Sequence, residues 1–88
     1  MQYLVHFKIT PEHRDANFNH MKEKGTDSPS SVKILGPWYA LNQQAGWAIA
    51  ETDDPLDIGK WMYAWSDLNE LEIIPVVDDE GQRKILGP

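Results

Sequence analysis

"DPLDIGKWMYAWSDL", residues 54 to 68, decides the fold. Asp54 followed by Pro55 is a helix start. An aspartate accepts from the first free amides, and proline suits the first helical position, where its missing N–H costs nothing. Ile58, Trp61, Met62 and Trp65 then recur at i, i+3, i+4 and i+7. That spacing lays four large apolar side chains along one stripe of a helix over residues 55–67. Trp61, Tyr63 and Trp65 invite a second reading, an aromatic box around a ligand. The helical period favours the first: the stripe is a core face, and Tyr63 alone falls off it, towards a rim or a partner. Each large apolar side chain buried this way contributes about 1.5–3 kcal/mol.

A stripe of this kind needs a sheet beneath it, and the flanking sequence supplies one. Tyr3, Val5, Phe7 and Ile9 alternate with Leu4, His6 and Lys8, which is the period of a strand. Thr10-Pro11 repeats the cap-and-proline signal and opens a helix over residues 11–24, with a weak apolar face of Ala16, Phe18 and Met21. Gly25 is a left-handed stop, and "GTDSPSS", residues 25 to 31, is a loop. Val32 to Leu41 reads as a strand bent at Gly36-Pro37, and Trp47 to Thr52 as a third. Glu70 to Val77 is the fourth, and Pro75 gives it an edge position because proline donates nothing to a ladder. The order is βαββαβ, an α+β, ferredoxin-like arrangement. Right-handed crossovers give an antiparallel sheet of order 4-1-3-2 with both helices on one face. Residues 1–77 form this single domain, and 78–88 are a tail. The stripe is expected to lie on Val5, Phe7, Leu71 and Ile73.

With 88 residues, the chain builds one small core, which is marginal on its own. It has no cysteine, so neither a disulfide nor a thiolate metal site reinforces it. Pairing with a second copy is the remaining source of buried area. The net charge of −6 argues against a nucleic-acid partner, which wants a basic face. "MQYLVHFKIT" is not a signal peptide, and no apolar run approaches the length of a membrane span. The expectation is a cytoplasmic protein with no membrane partner.

The sheet face away from the helices should be polar in a monomer. Taking the richer side of each strand as helix-facing, that far face carries Leu4 and His6, then Ala48 and Ala50, then Glu72, Ile74 and Val76. Leu4, Ile74 and Val76 form an apolar patch, and two such sheets packed face to face would bury it around a two-fold axis. His6 and Glu72 fall on neighbouring strands of the same face, beside small Ala48 and Ala50. Leu4, Ala48, Ala50 and Ile74 would line any pocket there. Two readings stay open: the pair satisfies itself structurally, or a histidine near neutrality moves a proton with a carboxylate partner.

"ETDDP" at 51–55, "KWMYAWSDL" at 60–68 and "ELEIIPVV" at 70–77, with "GPWYA" at 36–40, resemble a domain-of-unknown-function family of small bacterial proteins in the dimeric α/β-barrel superfamily. The resemblance covers most of residues 1–77. It implies the ferredoxin-like fold and a homodimer, and it assigns no activity. Related barrels include heme-degrading and quinone-forming monooxygenases, decarboxylases and lactone isomerases, so fold alone licenses little. Glu72 matches the family's Glu-x-x-Pro strand. Glu51 also matches, and strand parity turns it towards the helices, where it would anchor the Asp53-Asp54 turn. His6 lies outside the shared motifs.

There is no Gly-rich phosphate loop, no zinc-binding His-Glu-x-x-His and no nucleophile elbow. His13 and His20 share a helix, and solvent exposure is expected for both. No cofactor or metal is implied. "KILGP" occurs twice, at 33–37 and 84–88. The second copy follows the turn-forming "DDEG" and is expected to return as a short extra strand, on its own sheet or on a partner's. Two functions fit: a homodimeric binding or interaction module, or a small-molecule enzyme, monooxygenase-like or isomerase-like, taking a small apolar or aromatic metabolite near His6 and Glu72. A pocket of about 300 Å³ or more beside them would favour the enzyme.

Overall fold

The computed structural model describes residues 1–88. Four strands form one antiparallel sheet: β1 (Gln2–Lys8), β2 (Lys33–Tyr39), β3 (Ala45–Glu51) and β4 (Glu70–Val76). Their order is β2-β3-β1-β4, which is 4-1-3-2 read from the β4 edge. The first helix begins with a 3₁₀ turn at Pro11–His13 and continues as α1 (Arg14–Lys24); α2 spans Pro55–Trp65 and α3 spans Asp79–Leu86. The fold is mixed α+β.

The caps behave in two ways. Asp54 accepts from the Leu56 amide at 3.0 Å and starts α2 as its sequence requires. Thr10 makes no capping bond; its hydroxyl pairs with His13 Nδ1 at 2.9 Å instead. Gly25 ends α1 at φ 61°, with its amide on Met21 O at 2.8 Å. The bend in β2 is a register shift between Leu35 and Trp38, across a cis Gly36–Pro37 bond. Pro75 lies on β4, at the open edge.

The α2 stripe is the core. Ile58, Trp61 and Met62 are buried with Tyr3, Val5, Val32, Ala48 and Ala50, and Ile34, Trp65, Leu71 and Ile73 pack against them. Tyr63 is 85% exposed, off the stripe. Met62 and Trp61 also reach the cleft beside Phe7.

The parity expected for β3 is wrong. Ala48 and Ala50 face the helices and are fully buried, and Trp47 and Ile49 take the outer face. The reason is volume. A helix carrying two indoles and a methionine approaches a sheet closely only where the strand beneath is small, and β3 supplies the alanines. Glu51 is displaced with them: it pairs with Gln2 and Lys33 on the outer face. The Asp53-Asp54 turn is held instead by buried Thr52, whose hydroxyl accepts from the Asp54 amide at 3.2 Å.

Two further expectations fail. The inner face of α1 is Asn17 and Met21, while Ala16 is exposed. Asn17 is drawn inward by hydrogen bonds rather than by hydrophobicity. Residues 83–86 are helical, not a fifth strand. Asp78 accepts from the Gly81 amide at 2.8 Å, and Arg83 and Lys84 pair with Asp79 and Glu80 one turn back, so local electrostatics choose a helix.

Candidate functional site

Two regions carry the chemistry, one on each side of the sheet. Under the helices runs an apolar cleft with room for about 50 Å³, walled by Phe7, Met21, Tyr39, Trp61, Trp65 and Leu71 and touched by Asn17, Thr26 and Asn69. Its walls are built by a few polar bonds. The carbonyl oxygen of Thr26 accepts both indole N–H groups, Trp61 at 2.7 Å and Trp65 at 2.8 Å. One loop oxygen thereby fixes two turns of α2. His20 stacks on Trp65 at 4.2 Å between ring centres, and its Nε2 lies 2.9 Å from Asp27 Oδ2. His20 is therefore half-buried in this wall rather than solvated; His13 is exposed, as expected.

Phe7 lies across β3 because its neighbour there is Gly46; a Cβ on that glycine would collide with the ring. The ring of Phe7 meets Tyr39 edge-on at 5.8 Å. The Tyr39 hydroxyl donates to the Met21 thioether at 2.9 Å, a contact that joins β2 to α1 at the cleft. Burial pushes the Tyr39 phenol above its ordinary pKa, because the charged form loses its water.

The outer face is different. It presents Leu4 and His6 from β1, Leu35 and Trp38 from β2, Trp47 and Ile49 from β3, and Glu72 and Ile74 from β4. Leu35, Trp38, Trp47 and Ile74 are 43%, 58%, 39% and 43% exposed. No helix covers them. The His6 ring stacks on Trp47, 5.2 Å between centres.

A family model described as "Domain of unknown function (DUF3303)" matches residues 1–88. The chain belongs to the DUF3303 family. The match takes in α3, past residue 77, where the motifs read from the sequence end. No curated protein matches the chain.

Within this DUF3303 domain, the sequence-derived candidates separate. His6 and Glu72 are direct cross-strand partners and share the outer face, with Leu4 and Ile74 beside them. No hydrogen bond joins the two side chains; His6 spends its ring on Trp47. Ala48 lines the cleft, but from the opposite side of the sheet, and Ala50 lies in the core. The four residues expected to line one pocket therefore lie on two faces. Neither the cleft nor a wider open polar groove of about 450 Å³ beside Arg14, Phe18 and Gln43 is lined by His6 or Glu72. No group of three or more histidine, aspartate and glutamate side chains is arranged to hold a metal ion. No helix is long and apolar enough to cross a membrane.

The sequence reading missed Asn17, Thr26 and Tyr39. Asn17 had a signal shared with Asn19, an amide beside apolar Phe18, and it alone lies one turn before Met21. Thr26 acts through its backbone and had none.

Proposed function

We propose that the protein is a homodimeric binding module of the ferredoxin-like, dimeric α/β-barrel type, in which two copies pack their outer sheet faces together. The observation that carries this is the uncovered face itself. Leu35, Trp38, Trp47 and Ile74 are each more than a third exposed, and Leu4, Ile49 and Val76 continue the patch. A sheet face left to water is normally polar, and a contiguous apolar one marks an interaction surface. A second copy suits it for a reason of energetics: only 12 of 88 residues are buried in the single chain, a thin core that pairing would supplement. The same reading makes the protein cytoplasmic and gives it no nucleic-acid partner, in keeping with its charge of −6.

The alternative, an enzyme working at His6 and Glu72, draws on their cross-strand pairing alone. The apolar cleft and the polar groove are both lined by other residues, and the uncovered apolar face favours the binding reading.

Light scattering at micromolar concentration tests the proposal. The unaltered chain is expected to be a dimer, and Ile74→Asp a folded monomer by circular dichroism, since Ile74 is already 43% exposed and the charge is costly only when a partner covers it. A monomeric unaltered chain overturns the reading.

A further inference from the structure

We infer that the cleft between the sheet and the helices is a binding site for a small neutral aromatic molecule carrying one hydrogen-bond donor, a single-ring phenol in chemical class, with Asn17 Oδ1 as the acceptor. Asn17 is 5% exposed, and its amide is oriented by its surroundings. Asn69 Nδ2 donates to the Trp65 carbonyl at 3.2 Å, which turns Asn69 Oδ1 towards Asn17. Asn17 must then present its Nδ2, which donates to Asn69 Oδ1 at 2.7 Å and to the Leu68 carbonyl at 3.4 Å. Its Oδ1 is left with no hydrogen bond. It is not sealed in either, because no fully buried side-chain nitrogen or oxygen lacks a partner. A residue lining an apolar cleft thus keeps one acceptor that the chain itself does not engage. Water can reach it, and a ligand that displaces this water keeps the bond only if it carries a donor of its own.

The rest of the lining narrows the ligand. It contains no charged side chain, so an ion entering it would lose its water without compensation. Both indole N–H groups are spent on Thr26 O, and both polar atoms of the Asn69 amide are engaged. The walls are otherwise rings and aliphatic carbon, which favour a flat apolar body. Size sets the last condition. A cavity of about 150 Å³ holds benzene, and the cleft offers about 50 Å³. Entry therefore requires Tyr39 and Met21 to part. Their joint is the weakest in the wall: one hydroxyl on a thioether, a poor acceptor on a flexible side chain. Tyr39 and Met21 form the gate. The site lies on the opposite side of the sheet from the pairing face, so its fate is independent of dimerisation.

The test uses the full chain and three probes: phenol, toluene, which lacks the donor, and benzoate, which is an anion. Binding is followed by NMR through the indole N–H signals of Trp61 and Trp65. Phenol is expected to bind about tenfold more tightly than toluene, the worth of one neutral hydrogen bond, and benzoate not to bind. Asn17→Ala is expected to narrow the phenol–toluene gap to less than about threefold, and Tyr39→Phe, which leaves Asn17 in place, to speed phenol exchange while keeping the gap. Should Asn17→Ala fail to fold, Asn17→Leu, which removes the amide while filling much the same volume, is expected to shrink the same gap. Equal binding of phenol and toluene by the unaltered chain, no binding of either, or a gap that survives removal of the Asn17 amide overturns the assignment.

Discussion

The carbonyl of Thr26 concentrates the fold's specificity at a single atom. Two indoles donate to it, so the loop after α1 is tied to α2 by the only polar atoms the tryptophans own. Truncating Trp61, 6% exposed, removes both that bond and the largest buried side chain of the stripe. Trp61→Ala is expected to cost about 3–5 kcal/mol, and Tyr63→Ala, on the exposed side of the same helix, less than about 0.5 kcal/mol; urea melts that rank them the other way would contradict the assigned faces. Tyr39 gives a pH-dependent prediction. Its folded pKa is raised by burial, so as pH climbs past the ordinary 10.0 the unfolded chain releases this proton first. The folded state then binds more protons than the unfolded, and stability falls until the folded pKa is passed. Tyr39→Phe is expected to lose stability less steeply over that alkaline range than the unaltered chain; equal slopes would show that the phenol is not held protonated. The α2 stripe was legible in the sequence because its period is local. The face taken by Ala48 and Ala50 was not, since small residues are chosen by the bulk of side chains opposite, Trp61 among them, which lie far away in the chain.

At the scale of elements, the two copies of "KILGP" show how little a pentapeptide decides. The first runs through β2, where Ile34 pairs with Ala50 and Leu35 with Ile49. The second ends α3, with Gly87 at φ 82° as its stop. What differs is the preceding sequence. "SSV" leads from a turn into the sheet, with Val32 in the core, whereas "DDEG" brings a cap, two acids for the positive helix end and two i,i+4 ion pairs. The strand expectation for the tail weighed the Ile-Leu pair over this cap. A helix of eight residues with Ile85 and Leu86 68% and 73% exposed has little tertiary support. Its cap therefore carries much of its stability. Asp78→Ala is expected to remove about 1 kcal/mol from α3 and to accelerate amide exchange at residues 81–86 while β1 and β3 keep their protection. Unchanged exchange at those amides would mean that α3 is held by something other than its own ends.

The whole molecule is a thin slab, 50 × 27 × 17 Å, with a radius of gyration of 14.3 Å. A compact chain of this length would measure about 12 Å. The thin dimension is that of two layers, the sheet with α1 and α2 on its inner side. The excess lies in the 50 Å dimension, about twice the ~23 Å that a seven-residue strand spans. The strand order and the layer in which α2 lies followed from element order and crossover handedness. The apolar outer face was also legible in outline, from Leu4, Ile74 and Val76, although Trp47 was turned to the helix side by the inverted β3 parity and Trp38, on β2, was given no face. If the second sheet comes from a second copy, stability belongs to the pair. Unfolding then releases two chains, and the melting temperature must rise with protein concentration. A tenfold dilution is expected to lower it measurably for the unaltered chain. Ile74→Asp is expected to melt lower and at a temperature independent of concentration, because its transition is that of one chain. A concentration-independent melt for the unaltered protein would mean that the slab is stable by itself, with Leu35, Trp38, Trp47 and Ile74 facing water at a cost that some other partner must relieve.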